Sequence, residues 1–155
     1  MGKRILIIVV VLVMAALPLA VSAQSASRTF TITETQINQS FRVTNPARVR
    51  VSNMVVDLQP GQVSIAYTYT VRAPRGSGTT SRNVNTVYVP NVTNGRLYWS
   101  VTSVTVNGQP ASDDLVRQIN ASIESSWRNY IRRQLDTGRI GSVTITDTEM
   151  TSTTQ

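Results

Sequence analysis

Residues 112–135 read SDDLVRQINASIESSWRNYIRRQL, the one long stretch of this chain with an unbroken helical period. Leu115, Val116, Ile119, Ile123, Trp127, Tyr130 and Ile131 recur at spacings of three and four, so a helix places them on one face. Ser112 stands where an N-cap belongs, Asp113 and Asp114 suit the positive end of the helix dipole, and Gly138 beyond Arg132 and Arg133 provides a stop. The result is a rod of about 35 Å. One side is too apolar to face water and the other too polar to face lipid tails, so the rod needs a cover from the rest of the chain.

That cover reads as β-structure. Phe30 and Ile32 alternate with threonines over residues 28–33, a short strand. Thr33 with Gln36 three residues on makes a capping box that opens a short helix over 34–42, with Ile37 and Phe41 inward. After Pro46 the apolar phase is odd through Val49 and Val51, then even through Met54, Val56 and Leu58; a reversal of face within one strand marks a β-bulge near Ser52 and Asn53. Gln59-Pro60-Gly61-Gln62 is a turn, and Val63, Ile65, Tyr67, Tyr69 and Val71 follow on one face of the clearest strand. Residues 73–83 have no apolar side chain after Pro74 and read as a mobile loop. Extended structure resumes over 84–92, where Pro90 marks an edge or a bend. Asn94-Gly95 is a hairpin signal, and Leu97, Trp99 and Val101 then give way to Val104 and Val106 with the same reversal of face. Ile140, Val143 and Ile145 define a last strand within 139–150, and residues 151–155 read as a disordered tail. Two strands that each swap faces midway predict an α+β fold: a strongly curved antiparallel sheet wrapped around one long C-terminal helix, plus a short N-terminal helix, in a single domain over 24–150.

The chain opens MGKRILIIVVVLVMAALPLAVSA, with Lys3 and Arg4 ahead of an apolar run and small residues at its end. This is the pattern of a signal peptide over 1–23, cleaved after Ala23, or of an uncleaved N-terminal anchor. Either places the protein in the periplasm, outside the cell or at its surface. Without Lys3 and Arg4 the net charge of +7 becomes +5, and every remaining cation is an arginine. Cysteine and histidine are both absent, which removes disulfides, a thiolate nucleophile, a histidine base and the usual zinc ligands. The eight carboxylates fall at helix starts, on polar faces or beside turns, and no phosphate cradle or nucleophile motif occurs. The chain therefore reads as a binding protein, not an enzyme, with no metal or cofactor implied.

Arg117, Arg128 and Arg132 fall within about 60° of one another around the long helix. They form either a stripe for anionic head groups on a membrane surface or an ordinary solvated face. Nucleic acid is not expected, because the aromatic residues lie on inward phases and not among the basic ones. Tyr67, Tyr69, Trp99, Trp127 and Tyr130 occupy apolar faces of helix or strand. They pack a core, or they line a cleft between helix and sheet that suits an acyl chain.

The order TITETQINQSF (31–41), VDLQPGQVSI (56–65), NGRLYW (94–99), QINASI (118–123) and IGSVTITD (140–147) resembles that of small exported bacterial phospholipid-binding domains of the tubular lipid-binding (TULIP) superfamily. The resemblance is one of pattern over most of the mature chain. It implies a curved sheet around a long helix with an apolar groove for lipid tails. The positions it places in that groove are Ile65, Tyr67, Tyr69 and Trp99 from the sheet and Ile119, Ile123 and Trp127 from the helix. The expected function is capture of a lipid or other apolar molecule between helix and sheet, with Arg117, Arg128 and Arg132 near head groups. A cell-surface structural or interaction domain with a solid core is the alternative.

Overall fold

The structure, a computed structural model, describes residues 27–73, 78–135 and 138–155. The segment read as signal peptide or anchor lies outside the described residues, as do residues 74–77 of the expected loop. The described chain starts with β1 (Thr29–Thr33) and α1 (Glu34–Ser40) and continues through β2 (Val49–Gln59), β3 (Gln62–Arg72), β4 (Thr79–Thr93), β5 (Arg96–Val106) and β6 (Gln109–Pro110). It ends with α2 (Asp113–Gln134), β7 (Ile140–Ile145) and β8 (Glu149–Thr154). Strands β2 to β6 form one antiparallel meander in chain order, and β1-β8-β7 form a second sheet.

Local chemistry accounts for most of these boundaries. The Thr33–Gln36 capping box is formed in both directions and opens α1. Ser112 occupies the N-cap of α2 but makes no side-chain cap bond. Asn94 and Gly95 both adopt positive φ, 54° and 74°, as a two-residue turn of right-handed twist requires between β4 and β5. In β2 the register shifts between Ser52 and Val55, so Asn53 and Met54 together oppose Tyr67, and Asn53 takes φ 51°. In β5 the register shifts at Thr102, between the pairs Val87–Ser103 and Tyr88–Val101. Each reversal of face is thus a bulge of one residue. Pro90 lies past Tyr88, where β3 no longer flanks β4, so its missing N–H costs no ladder bond on that side.

One core joins every element except the exposed β6. Val56, Leu58, Val63, Ile65, Tyr67, Tyr69, Val84 and Tyr88 line the inward face of the meander, and Ile119, Ile123, Trp127, Tyr130 and Ile131 of α2 close onto it. Trp127 is completely buried, with the rings of Phe41 and Trp99 at 5.3 and 5.4 Å, both edge-on. These contacts clamp α2 between the α1 side and β5. The Tyr130 hydroxyl lies 2.7 Å from Ser40 Oγ, and Tyr88 OH donates to Asn120 Oδ1 at 2.6 Å.

The expected architecture is not the one formed. Strands dominate the described residues, and they make two sheets of three and five strands in place of one strongly curved sheet wrapped around the helix. Single bulges redirect side chains locally without coiling the sheet around α2. The second sheet comes from the chain ends. Thr146 N donates to Glu149 O at 2.9 Å, folding residues 140–154 into a hairpin, and β8 pairs with β1 on its other side. The stretch read as a disordered tail is therefore the central strand of the small sheet. Its inward positions are Met150, Ser152 and Thr154, of which only the first is apolar, so no alternation announced it. Residues 79–83, read as loop, extend β4 and pair with β3.

Strand β7 bridges two hairpin tips of the meander. Gly61 N donates to Ile145 O at 3.1 Å, and Ile140 N donates to Gly95 O at 3.0 Å. The second of these contacts brings the β4–β5 turn up to the start of β7, beside the C-terminal end of α2.

Candidate functional site

The convergence of that turn with the end of α2 leaves an open groove of about 660 Å³, within the range of small-molecule sites. Its floor is apolar: the half-buried Leu97 and Trp99 from β5, with the buried Ile131 of α2, Leu135 at the C-cap of α2 and Ile140 of β7 beneath them, where the core reaches the groove. Leu97 and Trp99 alternate inward along β5, and Ile131 and Leu135 stand one helical turn apart, so strand and helix periodicities put all four on facing surfaces. Four arginines rim it, Arg96, Arg128, Arg132 and Arg139, and no carboxylate lines it among the described residues. Tyr98, half-exposed, stands at its lip.

Neighbours hold the rim in place. Arg128 Nη2 donates to Glu124 Oε1 at 3.2 Å, and Arg132 Nη2 donates to Asn129 Oδ1 at 3.2 Å. The stem of Arg139 lies across Gly95, where a side chain would meet its Nε, Cβ and Cγ at 3.1 to 3.4 Å. A glycine at 95 is thus needed twice, for its positive φ and for this close approach.

Of the sequence-expected site residues, Trp99, Arg128 and Arg132 lie on this groove. Ile65, Tyr67, Tyr69, Ile119, Ile123 and Trp127 do not: all six are buried in the closed core, packed against one another where the slot was expected. Arg117 sits at the opposite end of α2, paired with Asp114. Leu97, Ile131, Leu135, Ile140, Arg96 and Arg139 are the lining residues that sequence reasoning missed. Their signal was a hydrogen bond between the β4–β5 turn and β7, which no periodicity encodes. The tyrosines with displaced ionisation belong to the core. Burial pushes Tyr67 up to about 12, opposed in part by its contact with Thr86, and burial raises Tyr88 further, aided by Tyr67 and Glu124.

The groove has arginine as its only charged group among the described residues. A guanidinium stays protonated and cannot serve as a general base, but it presents paired N–H donors to carboxylate, sulfate or phosphate oxygens. Its chemistry is recognition: apolar contact below, anion binding above. Among the described residues no group of three side chains could hold a metal ion. Comparison with known proteins finds no matching family model, no matching curated protein and no matching solved structure.

Proposed function

We propose that this protein is an exported, non-enzymatic carrier or sensor of an anionic single-chain amphiphile, held in the groove between α2 and β5. One observation carries the reading: an apolar floor, half-buried Leu97 and Trp99 over buried Ile131, Leu135 and Ile140, beneath four arginines, with no carboxylate among the described lining residues. Burial of the chain supplies affinity at about 25 cal/mol per Å². The arginines orient the head and favour peripheral contact with anionic membrane. A methylene needs roughly the volume of a water molecule, about 30 Å³, so a ten-carbon chain takes about 300 Å³. A groove of about 660 Å³ accommodates it. This reading stands without the resemblance to tubular lipid-binding domains, whose wrapped sheet the chain does not form.

Decanoate titrated into detergent-free protein tests it, followed by tryptophan emission, to which Trp99 on the floor and its neighbour Trp127 contribute. Saturable binding is expected, lost in Leu97→Glu, which puts a like charge on the floor, while the urea transition of that variant stays cooperative. Absence of binding, or binding unchanged in the variant, overturns the proposal. The closed packing of the core favours the second reading, an interaction domain without a small ligand, and a protein that binds no amphiphile would point there. N-terminal sequencing of the exported product, expected to begin at Gln24, checks the export step.

A further inference from the structure

We infer that Arg128 is the head-group ligand of the groove and that Glu124 holds it in reserve, so the amphiphile binds by taking the guanidinium away from an internal carboxylate. This rests on the groove reading above and names how the site is regulated. Arg128 lines the groove, yet its Nη2 is turned to Glu124 Oε1 at 3.2 Å. The two partners are not equally free: 58% of the arginine side chain is exposed against 34% for the glutamate. Glu124 is also held from inside. Its Oε2 accepts from Asn120 Nδ2 at 3.4 Å, and the buried Asn120 accepts at Oδ1 from Tyr88 OH at 2.6 Å, anchored in the core. A short polar thread therefore runs from the core to the groove, and its last member is the one that can move. When an anionic head arrives, Arg128 exchanges one oxyanion for another, while Glu124 keeps Asn120. An exposed ion pair is weak enough to be exchanged without unfolding anything. A neutral head offers no such exchange and leaves the pair closed.

Calorimetric titration of the whole protein with decanoate at pH 8, where decanoate is an anion, and with 1-decanol as the neutral match separates the possibilities. Glu124→Gln is expected to tighten decanoate binding about two- to fivefold and to leave decanol unchanged. Arg128→Gln is expected to weaken decanoate about tenfold. The double variant should gain nothing over Arg128→Gln. Equal tightening by Glu124→Gln in the Arg128→Gln background would show a general field effect and overturn the inference, as would no tightening in the native background. Leu97→Glu keeps the two readings apart. If it abolishes binding while Glu124→Gln changes nothing, the groove stands and the exchange falls; if it changes nothing, or the native protein binds no decanoate, both fall. Every variant is held to the native cooperative urea transition, so a misfolded protein is not scored.

Discussion

Tyr67 shows how a single core side chain couples this fold to pH. Its ring is buried in the core, its hydroxyl meets Thr86 Oγ1 at 3.3 Å, and burial lifts its ionisation to about 12. In the unfolded chain the same group ionises near 10, so between the two values the folded state holds the extra proton. The contribution of Tyr67 is therefore complete below about pH 10 and is lost as pH rises toward 12, at about 1.4 kcal/mol per pH unit. Tyr88, raised further by burial, Tyr67 and Glu124, falls off in the same direction. Urea midpoints measured from pH 8 to 11.5 should be flat at first and then decline, and Tyr67→Phe should remove one tyrosine's share of the slope. A flat profile to pH 11.5, or an unaltered slope in the variant, would contradict this account. Trp127 is the opposite case, since its buried Nε1 has no hydrogen-bond partner among the described residues. Its retention reflects the ring contacts with Phe41, Trp99 and Tyr130.

Strand β2 is the outer edge of the meander, an element whose unpaired backbone would otherwise invite another chain. Three side chains cover it. Asn38 of α1 acts as a substitute strand: its Oδ1 accepts from Val56 N at 2.8 Å and its Nδ2 donates to Val56 O at 2.7 Å. Glu34 Oε2 accepts from Leu58 N at 2.7 Å, and Asn45 Oδ1 accepts from Val51 N at 2.8 Å. Helix α1 is thus more than a connector, because the capping box that starts it also aims Glu34 and Asn38 at the edge. Asn38→Ala should cost about 1–3 kcal/mol, read as a lower urea midpoint at unchanged slope, with a rise in aggregation. Asn38→Asp keeps the acceptor but loses the donor to Val56 O, so it should rescue only part of the loss. Full stability in Asn38→Ala would mean that water covers the edge as well as the asparagine does. Short-range chemistry was legible at this scale: the capping box, the Asn94-Gly95 turn and both face reversals are visible in neighbouring residues. The covering of β2 was not, since Asn38 looks like any polar helix residue until its partner 18 positions away is known.

At the scale of the whole molecule, the long helix and most strands of the meander followed from periodicity, while their arrangement in a sheet that does not wrap the helix, and the second sheet, did not. Its making depends on pairings over more than a hundred residues, Thr31 with Thr151 and Ile32 with Met150, between segments rich in threonine and poor in apolar alternation. The same long-range closure places Ile140 beside Gly95 and so makes the groove, which explains why Trp99, Arg128 and Arg132 were legible while Arg96, Arg139 and Ile140 were not. The last six strand residues consequently bear more of the fold than their composition implies. Removing residues 149–155 takes away the pairing partner of β1, the ladder partner of β7 and the fully buried Met150. Met150→Ala alone should cost about 2–5 kcal/mol, a large part of the 5–15 kcal/mol that holds a domain together. The truncated chain should therefore lose its cooperative urea transition and with it the groove, so that decanoate binding disappears together with folding. A truncated protein that still unfolds cooperatively and binds decanoate would mean that the meander and α2 suffice, and that β7 reaches Gly95 without the small sheet behind it.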